Sequence, residues 1–409
     1  MNNIRYFYRM ILKRKQYESL KAHIPQKEFT VLIGARQTGK STLLRQLLKE
    51  LLEEGEDVVF LNLERKDVLL SLNQGPENVF RFVPTTSHKR VIVLIDEIQY
   101  LNDPTNFLKL LFDEHANRLK IVATGSSAFY IDRQFKDSLV GRKRIFEMPT
   151  LDFEEFLFFK NQNVLLNDLK ALRNGTIEKS VWEEMLWVAL EEYITFGGYP
   201  AVVLAANTQE KIAYLQEIRD SFIKRDILEA GINDEIKFYR LMLLLASQIG
   251  NLLNTNEIAN TLRISNATAE QYLYVLQKCF HVGLLRPFFQ NLRKELIKMP
   301  KLYFNDLGLR NAMLNYFEPL EQRTDKGALL ENYVYLRLSQ QHKEQVKFWR
   351  TADGNEIDFV IEQVYGSGKA VEVKFSRTEA KPSKYKKFQE QYPNFPLSFK
   401  CWRDVELLF

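Results

Sequence analysis

The stretch Gly34-Ala35-Arg36-Gln37-Thr38-Gly39-Lys40-Ser41-Thr42 joins an apolar, β-branched run, Thr30–Ile33, to a segment with leucines at Leu43, Leu44, Leu47, Leu48 and Leu51. That spacing is helical, so the stretch is a glycine-rich turn between a strand and a helix. It fills the pattern GxxxxGK[ST] completely. Glycines let backbone N–H groups curl around an anion, and the helix that follows presents its positive N-terminus to it. Lys40 is placed to neutralise β- and γ-phosphates and the Ser41 hydroxyl to ligate Mg²⁺, so ATP and Mg²⁺ are the expected cofactors.

A second element lies downstream. Val91-Ile-Val-Leu-Ile95-Asp96-Glu97 is an apolar strand ending in two carboxylates. Asp96 is expected in the Mg²⁺ shell, and Glu97 as the general base that orients and deprotonates the attacking water. With Val58–Leu63 and Lys120–Thr124 these runs predict a parallel α/β sheet covered on both faces.

Four further stretches resemble one group, the prokaryotic AAA-type ATPases related to the archaeal and STAND ATPases. Ile121-Val-Ala-Thr124-Gly125-Ser126-Ser127 is similar to the family's sensor strand, which implies roles for Thr124 and Ser126 near the γ-phosphate. Gly141-Arg142-Lys-Arg144, then Leu151-Asp-Phe-Glu-Glu155-Phe156, resembles the glycine–arginine stretch and its continuation. The resemblance implies a catalytic Arg142, acting within the chain or from a neighbour, with Arg144 as competitor. Gly197-Gly198-Tyr199-Pro200 resembles the lid motif, which implies that Pro200 lies near the base. Lys301-Leu-Tyr303-Phe304-Asn-Asp306-Leu-Gly308-Leu309 is similar to a late segment of bacterial members.

Around this core the chain reads as α/β and multidomain: a P-loop domain over 1–150, a helical lid over 151–235, a winged helix over 236–310 and a C-terminal α/β domain over 320–409. In the third, Asn254-Thr-Asn-Glu257 has capping-box form, and Tyr272, Val275, Leu276 and Cys279 follow helical spacing. The face of its second helix (Asn266, Thr268, Glu270, Gln271, Tyr274, Lys278) is polar but barely cationic, and the basic residues gather later, at Arg286, Arg293, Lys294, Lys298 and Lys301. DNA binding and a packing role both stay open here.

In the last domain Asp358, then Glu372 and Lys374 two apart on the next strand, can meet across a hairpin, with Glu331 on the preceding helix. This D…ExK arrangement resembles the restriction-endonuclease and Holliday-resolvase fold, which implies a second metal site. Two functions therefore stand open: an ATPase that couples nucleotide state to DNA binding or processing, and an ATP-controlled switch that binds protein partners, or further copies of itself, with an inactive tail.

Bulk properties bound the choice. Lys and Arg number 57 against 52 Asp and Glu, a net charge of +5 spread along 409 residues, which permits nucleic-acid contact without arguing for it. Two cysteines, Cys279 and Cys401, make no metal motif and fit a reducing compartment. No apolar run approaches a membrane span, and a cytoplasmic protein with no membrane partner is expected.

Overall fold

In the computed structural model, residues 12–84, 89–125, 139–288, 298–351 and 353–409 are described. They fall into two compact units. The first runs to Pro149 and takes in 278–280; the second holds the remainder from Thr150 onward. The lid, third and fourth segments expected as separate domains are thus parts of one unit.

The first unit is built on five parallel strands, β1 (Phe29–Ile33), β2 (Val58–Asn62), β3 (Val91–Asp96), β4 (Leu119–Gly125) and β5 (Lys143–Glu147), in the order β2-β3-β4-β1-β5. Strands β1, β3 and β4 are buried along their whole lengths, which is why their sequences are nearly continuous apolar runs. Alternate residues feed two cores. Val31, Val93 and Ile121 pack with Phe107 and Leu111 of the helix Pro104–His115, while Leu32, Leu94 and Val122 pack with Leu43, Leu44 and Leu47 of the helix Lys40–Glu53. The exception is Lys120, fully buried in β4. Its ammonium donates to the carbonyls of His23 (2.8 Å) and Gln26 (3.2 Å), so it ties down the turn before β1.

The second unit opens with helices, among them Phe153–Phe159, Glu183–Phe196 and Thr208–Ala230. Three more follow, Glu235–Ser247, Thr255–Leu262 and Asn266–Lys278, and then an antiparallel pair, β6 (Val282–Leu285) with β7 (Lys301–Phe304). Helices Leu307–Leu314 and Lys326–His342 lead to a four-stranded sheet of β8 (Val346–Arg350), β9 (Glu356–Val364), β10 (Ser367–Lys374) and β11 (Leu397–Cys401), ordered β11-β10-β9-β8. Strand β9 is antiparallel to β8 and β10, while β11 runs parallel to β10. Both cysteines are buried and not joined in a disulfide, and among the described residues no helix is long and apolar enough to cross a membrane.

Two of the sequence motifs meet inside this unit. Asp306 caps the helix Leu307–Leu314 by accepting from Leu309 N (2.9 Å), and its other oxygen accepts from Gly198 N (2.8 Å). Asn311 donates to the Thr195 carbonyl at 2.9 Å. The approach is so close that a Cβ on Gly198 would stand 2.1 Å from the Leu151 carbonyl oxygen, and one on Gly308 2.0 Å from that of Phe196. Both obstacles are backbone, which cannot swing aside. Gly198→Ala and Gly308→Ala are therefore each expected to lower unfolding free energy by about 1–3 kcal/mol, read as a lower urea midpoint. Gly327→Ala, in a helix with nothing within 4 Å of its Cβ, is expected to be neutral or stabilising. Equal midpoints for all three variants would refute the tight junction.

Candidate nucleotide site and the C-terminal carboxylate cluster

Parallel pairing brings the carboxyl ends of β1, β4 and β3 to one edge of the first sheet: Ile33 pairs with Gly125, and Ile95 with Ala123. The phosphate loop leaves β1 at this edge. Gly34 must be glycine, because a Cβ there would sit 2.2 Å from the Met148 carbonyl oxygen; Gly39, at φ 99°, takes the left-handed turn that starts the helix. Thr38 donates its hydroxyl to the Ala35 carbonyl (2.9 Å), and Arg14 reaches over 24 residues to grip the Thr38 carbonyl at 2.6 Å. Lys40 is buried, with its ammonium donating to the carbonyls of Gly34 (2.9 Å) and Ala35 (2.7 Å). Gln37 and Thr42 are exposed, whereas Arg36 is buried.

The two carboxylates at the end of β3 are held differently. Asp96 is buried and accepts from the Ser41 hydroxyl (3.1 Å) and from the Thr124 hydroxyl. Glu97 turns the chain in a left-handed conformation (φ 61°, ψ 54°), costly for a glutamate and concentrated at functional positions. Its amide donates to Thr124 Oγ1 (3.1 Å), and its carboxylate accepts from Gln99 Nε2. Thr124 thus ties Asp96 to Glu97. Ser126 lies outside the described residues.

Gln99 and Arg14 had not been singled out in the sequence. Gln99 sits two residues past Glu97 in a single 3-10 turn (Ile98–Tyr100), where no periodicity marks it, and Arg14 arrives from far along the chain.

The strand register separates Arg142 from this edge. Phe29 pairs with Lys143 and Ile33 with Glu147, and the Arg142 carbonyl accepts from Phe29 N, so Arg142 stands at the opposite end of β1, about 15 Å of strand from the loop. Its guanidinium grips both Asp113 oxygens, at 2.6 and 3.1 Å, and that partner raises its pKa further. Arg144, paired with Thr30, is at the same far end. Neither arginine stands at the edge that carries Asp96 and Glu97 of its own chain, so of the two expected modes the geometry disfavours action within the chain. Pro200 belongs to the second unit, where it opens the helix Pro200–Val203.

In the second unit the D…ExK residues do come together. Asp358 accepts from Val373 N (2.8 Å), Glu372 accepts from Asp358 N (3.2 Å) and from the Tyr385 hydroxyl (2.7 Å), and Lys374 donates to Glu372. A further residue, however, lies in their midst. Lys301, on β7, is buried with its ammonium 2.9 Å from Glu331, 2.5 Å from Glu356 and 3.4 Å from Asp358. Tyr303 also donates to Glu331 at 2.6 Å. Burial first, and the Asp358 charge second, push both Glu331 and Glu372 up to about 7. Lys301 instead has its pKa raised: burial alone would lower it, but Glu331, Tyr303, Asp358 and Glu356 outweigh that.

Lys301 is one of the basic residues that gather after the second helix of the third segment, and it is buried; Arg293 and Lys294 of the same group lie outside the described residues. The four acids and Lys374 do not fit a metal, because a lysine already supplies the positive charge among them. Among the described residues, the trio close enough to share one ion is instead Glu77, Glu114 and His115, with both glutamates exposed.

Comparison with known proteins follows this division. Residues 26–157 match a family model described as an AAA domain, while 188–320 and 326–401 match two domains of unknown function, DUF8612 and DUF4143. An uncharacterized protein of Methanocaldococcus jannaschii, MJ1544, is 29% identical over 346 residues, covering 83% of this chain and 73% of its own. One from Haemophilus influenzae is 28% identical over 347 residues, covering 81% and 78%. Among solved structures, the Thermotoga maritima RuvB Holliday junction branch migration motor aligns at 15% identity over 70% of this chain and 95% of its own, with a TM-score of 0.33. The replication initiator DnaA bound to AMPPCP and single-stranded DNA aligns at 16% over 65% and 88%, with a TM-score of 0.32. TM-scores this low carry no argument about this chain. The family match and the site geometry agree on the first unit: residues 26–157 match an AAA domain and carry its phosphate loop.

Proposed function

We propose that the protein binds and hydrolyses ATP with Mg²⁺. The observation that carries this reading is the convergence of Ser41, Asp96, Thr124 and Glu97 at the edge where the phosphate loop begins. The loop's N–H groups and Lys40 suit the triphosphate. Ser41 and Asp96, with hard oxygens 3.1 Å apart, suit Mg²⁺, which when bound neutralises phosphate charge as it develops. Glu97 would take the proton of the attacking water, with Gln99 fixing its carboxylate and Thr124 fixing its backbone. Pro200 and Ser126 are kept as proposed neighbours of the nucleotide. Arg142 is kept only as a residue supplied to a neighbour's site in an oligomer.

For the remainder of the chain we favour the switch over the nuclease. The three helices and the β6–β7 pair are read as a winged helix-turn-helix, and the last four strands with their helix as a restriction-endonuclease-like domain. Lys301 is the observation that favours the switch. An internal ammonium bonded to Glu331, Glu356 and Asp358 supplies the charge that a divalent ion would bring, so this tail is read as a binding module. DNA as its partner stays a proposal, supported by the exposed polar face at Asn266, Glu270, Gln271 and Tyr274.

Four measurements test this. Lys40→Ala is expected to abolish hydrolysis and sharply weaken ATP binding. Glu97→Gln should still bind ATP but turn it over about 10²–10⁴-fold more slowly; wild-type turnover in that variant would remove Glu97 from the mechanism. Arg142→Ala should leave hydrolysis by isolated chains unchanged. If it does reduce turnover, and mixing with Lys40→Ala restores it, the arginine serves a neighbouring copy. Finally, duplex, branched and single-stranded DNA incubated with Mg²⁺ or Mn²⁺ should remain uncut. Cleavage that Asp358→Ala abolishes would overturn the inert-tail reading.

A further inference from the structure

A cleft of about 360 Å³ opens between the helix Lys326–His342 and the face of the second sheet formed by β10 and β11. The register defines that face. Val371 pairs with Ser398 and Val373 with Lys400, so Lys369, Val371, Ser398 and Lys400 point one way, and Glu372 and Lys374 the other. The cleft is therefore on the opposite face of the sheet from Glu372 and Lys374. The helix contributes Val334, Arg337, Leu338 and Gln341, spaced i, i+3, i+4, i+7 on one side.

Its charges are unbalanced. Arg337, Lys369 and Lys400 line it, and the acid among the lining residues is Glu406, which pairs with Lys400. Arg337 spends one nitrogen on the Leu407 carbonyl at 2.6 Å. Lys369 is partly buried, and among the described residues its ammonium has no hydrogen-bond or ion-pair partner. The cations repel: burial lowers the Lys400 pKa, and Arg337 and Lys369 add to that against the opposing pull of Asp404, while Lys369 also disfavours protonation of His342, whose pKa burial already lowers. Holding like charges beside a cavity costs stability, and a bound anion would relieve that cost.

We infer that this cleft binds a small phosphorylated molecule of about mononucleotide size, with its phosphoryl group among Arg337, Lys369 and Lys400, and its body against Val371 and Leu338. A phosphate monoester carries close to two charges at neutral pH and three acceptor oxygens, matching Arg337 and Lys369, with Lys400 shared with Glu406, where a single carboxylate would not. The volume falls within the ordinary range of small-molecule sites, and apolar walls with a few convergent polar groups are their usual lining. This site is separate from the phosphate loop and does not depend on the hydrolysis reading.

Calorimetry on the full chain carrying Lys40→Ala, which silences the phosphate loop, tests it with AMP, adenosine and citrate as probes. AMP is expected to bind in the micromolar to low-millimolar range, with affinity falling as salt rises, and adenosine and citrate at least about tenfold more weakly. Adding Lys369→Met should weaken AMP about tenfold or more while leaving the unfolding midpoint unchanged or raised, because a repelled cation is removed. A merely structural lysine would lower the midpoint instead. Absence of AMP binding, AMP binding indifferent to Lys369→Met, or citrate binding as tightly as AMP would each overturn the proposal. In the Lys40 wild-type chain, Lys369→Met should leave ATP hydrolysis unchanged.

Discussion

Parallel pairing of β1, β4 and β3 constrains everything at the nucleotide site. Because the three strands run the same way and pair in register, their carboxyl ends reach one edge together, and Gly34 just past β1, Thr124 near the end of β4 and Asp96 at the end of β3 are set by backbone hydrogen bonds before any side chain acts. Strand β4 lies between the loop strand and the carboxylate strand, so its threonine can bind Asp96 through its hydroxyl and receive the Glu97 amide at once. The same pairing fixes what is absent from that edge. Arg142 and Arg144 begin β5, so they are carried to the other end of the sheet however basic their stretch is.

The second unit has its own fixed point in a buried carboxylate. Burial raises the pKa of Asp306, while amide donors from Gly198, Leu309 and Gly308 favour its charged form. The cluster holds a helix end, a helix start and the double glycine in van der Waals contact. It continues through Asn311 to Arg323, which is itself bound to Asp325 with Arg310. A lost partner in such a network leaves a desolvated polar group behind, and that one-sided penalty makes the junction sensitive to small changes.

Charge is spent in opposite ways on the two faces of the last sheet. On one face Lys301 is surrounded by acids, and its ammonium satisfies them internally. On the other, three cations surround a cavity with one acid among them. A satisfied cluster holds a shape, whereas an unsatisfied one stores electrostatic energy that a ligand can release.

Much of the first unit was legible in the sequence, because its signals are local. A phosphate loop needs its glycines and lysine consecutive in the chain, and a strand buried on both faces must be apolar along its length, so Gly34 to Ser41 and the run ending in Asp96 and Glu97 could be read directly. Glycines 197, 198 and 308 were visible as motifs, but that they touch each other was not. What tertiary structure alone decided are relations between residues far apart in the chain. Arg14 holding Thr38, Arg142 carried to the far end of β1, and Lys301 placed among Glu331, Glu356 and Asp358 all depend on register and packing. A lysine is written identically whether it faces water or lies among buried acids, and only the packing of its neighbours, fixed when the strands pair, settles which of these it does.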